Sequence, residues 1–371
     1  MIPKHSMSVR VRPMLSLRSV LLSAALALAG CGQPIPGPLP KSDHFDGQHF
    51  FNPDGDQGSG GEQKKSKIEL LRELLYPPDH SWPAHVVVTQ TRPTAHIDGQ
   101  AMRSTWIGHS TVLVQTQGLN ILTDPVWAER AAPVQWAGVK RVREPGVRFD
   151  DLPHIDLVLI SHDHYDHLDT DILHKLWKRD RPLIVAGLGM DRLLAHYGIP
   201  AVARDWGQSV PVREGVAVIL DRVHHWSAHR FDAHDQTLWT GFTVTLPGGN
   251  LYYAGDTGPG DMRWALEASR TGPVRLALLP IGAYHFHGKV SGNHIGPQDA
   301  VKAFTQLHAS YGLGVHWGTF ELTNEAIDEP PRVLSLALKT AQIAPDRFRA
   351  TQVGQGWDVP AMSADASQSM R

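Results

Sequence analysis

Apolar residues along this chain fall mostly into short runs broken by turn-forming residues, and only a few stretches carry helical spacing. From about Met102 the runs read as strands. Ser110–Thr116 (STVLVQT) and Leu119–Pro125 (LNILTDP) flank Gln117-Gly118, the pattern of a tight hairpin. Ile155–Ser161 (IDLVLIS) is continuously apolar, as a strand buried on both faces should be. A helix is expected next, capped at Asp169 or Thr170 and running to about Lys178. PLIVAG reads as a further strand and MDRLLAHYG as a helix stopped by glycine. VAVILDRV, LWTGFTVTL and NLYYAGD are strands, DMRWALEASR a helix and VRLALLPIG a buried strand. PQDAVKAFTQLH is a helix with proline in its first turn, LGVHW a short strand and VLSLALKTAQI a late helix. Strands come first and β/α alternation follows, with no internal repeat of fixed period. The pattern predicts two sheets covered by helices in one α/β domain spanning residues 102–360, followed by a disordered tail over 361–371.

Before Met102 the pattern is different. Arg10, Arg12 and Arg18 precede Val20–Ala29 (VLLSAALALA), an apolar run too short to span a bilayer comfortably but laid out as a secretory signal. It runs into Leu28–Cys31 (LAGC), which resembles the lipobox of bacterial lipoproteins, where the cysteine is lipidated and becomes the mature N-terminus. Cys31 is the one cysteine in the chain, so no intramolecular disulfide can form. Residues 1–30 are therefore expected to be a lipoprotein signal peptide and Cys31 a lipidation site, which makes a membrane the first expected partner. Gly32 follows the cysteine where an aspartate would suggest inner-membrane retention, so in a Gram-negative host the outer membrane, facing the periplasm, is favoured. Residues 31–67, rich in Gly, Pro, Ser, Asp and Gln, read as a disordered tether. Within 68–101, Ile68–Leu75 (IELLRELL) has helical spacing and is stopped by YPP, giving an amphipathic helix and a connecting segment that lead into the domain.

Composition changes this picture in one respect. A hydrophobic content of 42% with 19% charged residues suits an ordinary core, and a net charge of −2 offers no field to collect phosphate backbones, which argues against a general nucleic-acid binder. Histidine is the outlier: there are 22, and they cluster, which points to metal more than to pH sensing.

The densest cluster is Ser161–Asp169, SHDHYDHLD. If the chain leaves its strand extended, His162 and His164 face the same side and can share one cation. The turn into the next helix then brings Asp166 and His167 to a neighbouring position, so H-x-H-x-D-H supplies two residues to each of two metals. Imidazole and carboxylate without thiolate suit zinc, with manganese or iron as second choices. Asp163 falls out of the strand phase, and Asp169 is better placed as a helix cap. Two ions need further ligands at the ends of other strands. The candidates are His224 or His225 in VHHWS, Asp256 in YYAGDTG and His316 in LGVHWGTF. His109 in WIGHST reads as a hydrogen-bonded buried residue rather than a ligand.

Taken together, TWIGHSTVLVQ, ILTDPVWAERAAP, GVKRVREPG, LPHIDLVLISHDHYDHLD, HHWS, LWTGFTV, YYAGDTG, LLPIGAY and HWGTFELTNE, in that order, resemble the metallo-β-lactamase superfamily. More narrowly they resemble its N-acylphosphatidylethanolamine-hydrolysing phospholipase D branch, over roughly Arg103 to Pro331. The resemblance implies a four-layer αββα sandwich with a binuclear zinc site at the sheet edges. One zinc would be held by His162, His164 and His225, the other by Asp166, His167 and His316, with Asp256 between them. The family pattern sets histidine directly before tryptophan, which selects His225 over His224.

The chemistry implied is attack by a metal-bridged hydroxide on phosphorus, with a phospholipid or N-acylated phospholipid as the substrate. Asp166 belongs to that machinery. Asp124 in ILTDP is either a carboxylate orienting a ligand histidine from behind or a turn aspartate before proline. His294 matches a family histidine that meets the substrate phosphate and would stabilise the anion or act as general acid. Tyr165 is either a phosphate contact or a packing aromatic. The chain departs from the family in carrying His285 and His287 in AYHFHGKVSGNH. Two other readings remain: a lactonase or carboxylic ester hydrolase of the same superfamily, and a non-catalytic metal-binding envelope lipoprotein.

Overall fold

Gln117 and Gly118 are both left-handed, at φ 57° and 70°, and turn β2 (Thr111–Thr116) tightly into β3 (Leu119–Thr123). The right-handed twist of two paired strands asks for this conformation at a two-residue turn. The hairpin belongs to a computed structural model that describes residue 39 and residues 42–55, 82–229, 234–286 and 289–362. Cys31, the apolar run before it and the Ile68–Leu75 helix lie outside the described residues.

Two seven-stranded sheets make up the centre. In the first, β1 (Met102–Gly108), β2 and β3 pair antiparallel, and β6 (Leu157–Ile160), β7 (Leu183–Gly187) and β8 (Val202–Arg204) continue in parallel. In the second, β9 (Ser209–Arg213), β10 (Val216–Asp221), β11 (Gly241–Val244) and β12 (Asn250–Tyr253) pair antiparallel. There β13 (Val274–Pro280), β16 (Tyr311–Val315) and β17 (Phe348–Arg349) continue in parallel. The two sheets thus repeat one plan, although the sequence shows no repeat. The last strand, β18 (Gly356–Val359), returns to pair with the free edge of β1. Short hairpins β4–β5 (Arg130–Ala131, Val139–Lys140) and β14–β15 (His285–Phe286, Lys289–Val290) project from the connections.

Parallel pairing needs crossovers, and helices supply them. α1 (Thr170–Asp180) joins β6 to β7, and α2 (Met190–His196) joins β7 to β8. α3 (Arg263–Ala268), α4 (Pro297–Gln306) and α5 (Glu329–Thr340) serve the second sheet in the same way. α1 begins where the aspartate of the cluster caps it: Asp169 Oδ1 accepts from Ile172 N at 3.1 Å. It ends at Arg181, left-handed at φ 54°, with Lys178 and Arg179 in the last turn against the negative end of the helix dipole. Its buried Ile172, Leu173 and Leu176 are worth about 1.5–3 kcal/mol each.

Strand alternation separates two cores. Leu157 and Leu159 pack between the sheets with Val114, Ile121, Val218, Phe242 and Tyr253, whereas Val158 and Ile160 pack with Leu173, Leu176 and Leu194 of α1 and α2. Helix, sheet, sheet and helix are the four layers expected. Among the described residues no helix is long and apolar enough to cross a membrane.

One expectation needs correction. The composition of 31–67 predicts a disordered tether throughout, yet residues 42–55 lie ordered on the domain. Phe50 is 2% exposed and packs with Val223, Leu238 and Trp239, and its N–H donates to Asp235 O at 2.7 Å. The polar composition of the stretch hides HFDGQHFFN, whose aromatics supply enough apolar surface to anchor it.

Candidate metal centre

Strands β3, β6, β12 and β16 all release their chains at one end of the sandwich, and β10 sends its chain there through the turn at Val223–Ser227. The β6 exit carries the cluster. His162 Nε2 and His164 Nδ1 are 2.8 Å apart, and His225 Nε2 stands 3.4 Å from the same His164 nitrogen. A turn closed by Leu168 N donating to His164 O at 2.8 Å then swings Asp166 and His167 to the second position. There Asp166 Oδ2 faces His167 Nε2 at 3.5 Å and His316 Nε2 at 3.4 Å.

Asp256 enters between the two groups. Gly255 makes this possible: it is left-handed at φ 63°, and a Cβ there would lie 2.4 Å from Ser161 Cβ. Asp256 Oδ2 is 3.0 Å from His316 Nε2 and 3.1 Å from His167 Nε2 on one side, and 3.9 Å from His225 Nε2 and 4.0 Å from His162 Nε2 on the other. Of the adjacent pair, His225 points inward, while His224 turns its Nδ1 to Asp54, 3.0 Å away.

Behind His167 sits Asp124, fully buried. Its Oδ2 is 2.6 Å from His167 Nδ1 and accepts the hydroxyls of Ser161 and Tyr253, each at 2.5 Å. Asp163 turns away from the cluster, accepts from Thr237 Oγ1 at 2.8 Å and is pushed up to about 7 by burial.

His294 brings its Nδ1 to 3.6 Å from Asp256 Oδ2. It lines a cavity of about 250 Å³ with His164, Tyr165, Asp166, Trp226 and Leu322. Tyr165 reaches that cavity but donates its hydroxyl to His229 O, away from the histidines. His285 lies toward Glu329, its Nδ1 3.4 Å from Oε1, and His287 is outside the described residues.

Electrostatics divide the centre. Burial, reinforced by neighbouring imidazoles, holds His162 well below the ordinary histidine range; burial does the same to His225 and takes His164 and His294 to about 4. These rings are neutral at pH 7 and present lone pairs. Burial opposes ionisation of Asp256 and Asp166, yet His167 above all holds both carboxyls well below their usual range. Burial opposes the charge on His167 and His316 as well, yet Asp256 above all raises them, His167 well above the ordinary histidine range and His316 to about 9. A divalent transition metal, which takes neutral imidazoles and anionic carboxylates as donors, would replace those protons.

Two of the atoms aimed into the cluster, His167 Nε2 and His316 Nε2, are buried without a hydrogen-bond partner. Such groups are costly to leave unsatisfied, and a cation between them would satisfy them. Donor atoms of His162, His164 and His225 lie within 4.8 Å of one another, as do those of Asp166, His167, His316 and His109. The cluster is able to bind metal.

Two features escaped the sequence. His109 is buried and hydrogen-bonded, as expected, but its partner is Asp166 Oδ2 at 2.9 Å, so it belongs to the second group. His109, Asp124 and His316 all adopt positive φ, at 53°, 29° and 61°. Non-glycine residues held there store about 1–3 kcal/mol each, a cost that collects at functional sites.

Two mixed sheets between helices, with this histidine and aspartate cluster at one sheet end, define a metal-dependent hydrolase of the β-lactamase superfamily. Residues 119–317 match the beta-lactamase superfamily domain, and the chain belongs to that family. Within it the relatives are particular. The chain is 31% identical, over 84% of its own length and 93% of the other's, to an N-acyl-phosphatidylethanolamine-hydrolyzing phospholipase D of Caenorhabditis elegans. It is 32% identical to the mitochondrial protein of the same description in Saccharomyces cerevisiae, over 63% of its own length and 51% of the yeast chain. A novel metallo hydrolase from the archaeon Ignicoccus hospitalis shares the fold at a TM-score of 0.53 and 22% identity, over 70% of this chain and 98% of that one.

Proposed function

We propose that the protein is a binuclear zinc phosphodiesterase of phospholipase D type, acting on phospholipids, N-acylated ones among them, at the membrane to which Cys31 tethers it. The observation that carries the reading is the position of Asp256. Its Oδ2 lies 3.0–3.1 Å from His316 and His167 and 3.9–4.0 Å from His225 and His162, so one carboxylate serves both histidine groups. In this reading His162, His164 and His225 would hold one ion and Asp166, His167 and His316 the other, with Asp256 in reach of both groups. When bound, the pair supplies Lewis acidity toward the phosphoryl oxygens and brings a water's pKa close to neutral.

The chain's own groups do the rest. Asp124 fixes the proton of His167 at Nδ1, which leaves Nε2 free to face inward. Tyr253 and Ser161 donate to Asp124 and keep that carboxylate from turning. Burial takes His294 to about 4, so it meets the phosphate as a neutral hydrogen-bond donor, stabilising the anion rather than delivering a proton as imidazolium. Tyr165 contributes its ring to the cavity wall, its hydroxyl being committed to His229 O. A cavity of about 250 Å³ admits a phosphodiester head and leaves acyl chains outside, where a membrane-tethered enzyme would meet them. The names of the worm and yeast relatives support the lipid class.

The test is hydrolysis of bis(4-nitrophenyl) phosphate, and release of phosphatidate from vesicles containing N-acylphosphatidylethanolamine, by zinc-loaded protein and by Asp166→Ala. Activity in the first and none in the second is expected. A wild type inert toward phosphodiesters but active on a lactone or carboxylic ester would transfer the site to that substrate class. For the anchor, Cys31→Ser is expected to leave the membrane fraction; a variant that still sediments with membranes refutes the lipid tether.

A further inference from the structure

We propose that Asn52, in the segment preceding the domain, is a positioning residue for His225 and thereby part of one metal site. The inference rests on the reading that His162, His164 and His225 hold an ion.

The turn at Val223–Ser227 belongs to no strand or helix, so sheet pairing does not place His225. Contacts from elsewhere must do so. Asn52 supplies a reciprocal pair: Nδ2 donates to His225 O at 2.9 Å, and Oδ1 accepts from His225 N at 3.2 Å. The carboxamide thus pairs with the peptide of His225 as a neighbouring strand would. Trp239 Nε1 also donates to Asn52 Oδ1, at 3.2 Å, which fixes which end of the amide is oxygen. Asn52 is 7% exposed, and the buried Phe50 two residues before it pins the segment.

Neighbouring contacts point the same way. Asp54 accepts from Asp261 N at 2.9 Å and faces His224 Nδ1 at 3.0 Å, which draws His224 outward. His225 Nδ1 rests 3.0 Å from Asn293 O, leaving Nε2 toward His164 and Asp256. Ring orientation comes from Asn293; the position of the backbone that carries the ring comes from Asn52. Residues that orient a ligand from behind typically change metal affinity about 10–100-fold when removed.

The experiment titrates zinc against a chromophoric chelator in the full chain, for wild type, Asn52→Ala and Gln115→Ala. Gln115 is a buried carboxamide far from the centre, whose Nε2 donates to Asn120 Oδ1 at 2.8 Å, and it serves as the control for general loss of packing. Wild type is expected to bind two ions. Asn52→Ala should weaken one binding step by about 10–100-fold and leave the other alone, and Gln115→Ala should change neither. Unchanged affinities in Asn52→Ala, or equal losses in Asn52→Ala and Gln115→Ala, overturn the proposal while leaving the binuclear reading intact. A wild type that binds no zinc overturns both. Should Asn52→Ala fail to fold, the isosteric Asn52→Asp keeps the acceptor for His225 N and loses the donor to His225 O. It should show the same one-step loss, and unchanged binding there is equally decisive against the proposal.

Discussion

Asp124 and His167 form a closed pair: the carboxylate stands 2.6 Å from the ring nitrogen that faces away from Asp256, and neither side chain meets solvent. Replacing Asp124 with asparagine keeps the shape and removes the charge that fixes the ring's tautomer. Asp124→Asn is expected to fold and to bind one of the two ions about 10–100-fold more weakly, with activity falling in step. Asp124→Ala also strands the hydroxyls of Ser161 and Tyr253, and should lower unfolding stability by roughly 3–5 kcal/mol. Equilibrium denaturation and metal analysis of both variants check this; wild-type zinc affinity in Asp124→Asn would remove Asp124 from the machinery.

The adjacent histidines separate cleanly. His225→Ala should reduce bound zinc from two ions to one, while His224→Ala, whose ring faces Asp54, should retain both. Metal content of the dialysed proteins decides it, and equal loss from the two variants would mean that His224 also reaches the centre.

Metal removal should act on stability as well as on turnover. A ligand that binds only the folded state adds RT ln(1 + [L]/Kd), about 4 kcal/mol at a thousandfold excess over Kd. Chelation is therefore expected to lower the melting temperature by several degrees, and stoichiometric zinc to restore it. Identical melting curves with and without chelator would show that the cluster holds nothing tightly.

A pH effect is expected away from the centre. Asp221, the last residue of β10, accepts from Thr243 Oγ1 of β11 at 2.6 Å and is pushed up to about 7 by burial. Its folded pKa exceeds its unfolded one, so between about pH 4 and pH 7 the folded state binds more protons and stability falls as pH rises. Below that window the group costs nothing; above it the cost of holding a buried carboxylate is paid in full. Asp221→Asn should raise the melting temperature at pH 8 and leave it unchanged near pH 4. A gain of equal size at both values would exclude ionisation as the cause.

Much of this centre was legible from residue order because alternation and turn chemistry are local. His162 and His164 face the same way since they are two apart in an extended segment, and Asp169 caps α1 because its side chain reaches the third residue on. The roles of Asp256, His225 and His316 came from motif order, and the structure brings all three to the cluster. What remained hidden is what depends on distant backbone. No rule of spacing joins Asn52 to His225 across 173 residues, or His109 to Asp166 across 57. LWTGFTVTL reads as one long strand, yet only Gly241–Val244 pairs, because Leu238 N and Thr240 N are taken by Leu188 O and Ser161 O in loops of the other sheet. The short edge strands β8 and β17 bury too little to leave an apolar run.

The repeated plan of the two sheets has a consequence for assembly. His162, His164, Asp166 and His167 come from the first half of the chain, and His225, Asp256 and His316 from the second. Each half alone carries an incomplete set of donors, so tight uptake of ions must wait until the halves have docked. Ions held between 162–167 and 225–316 would act as rivets across the seam, and the order in which zinc becomes resistant to chelators during refolding would time the closing of that seam.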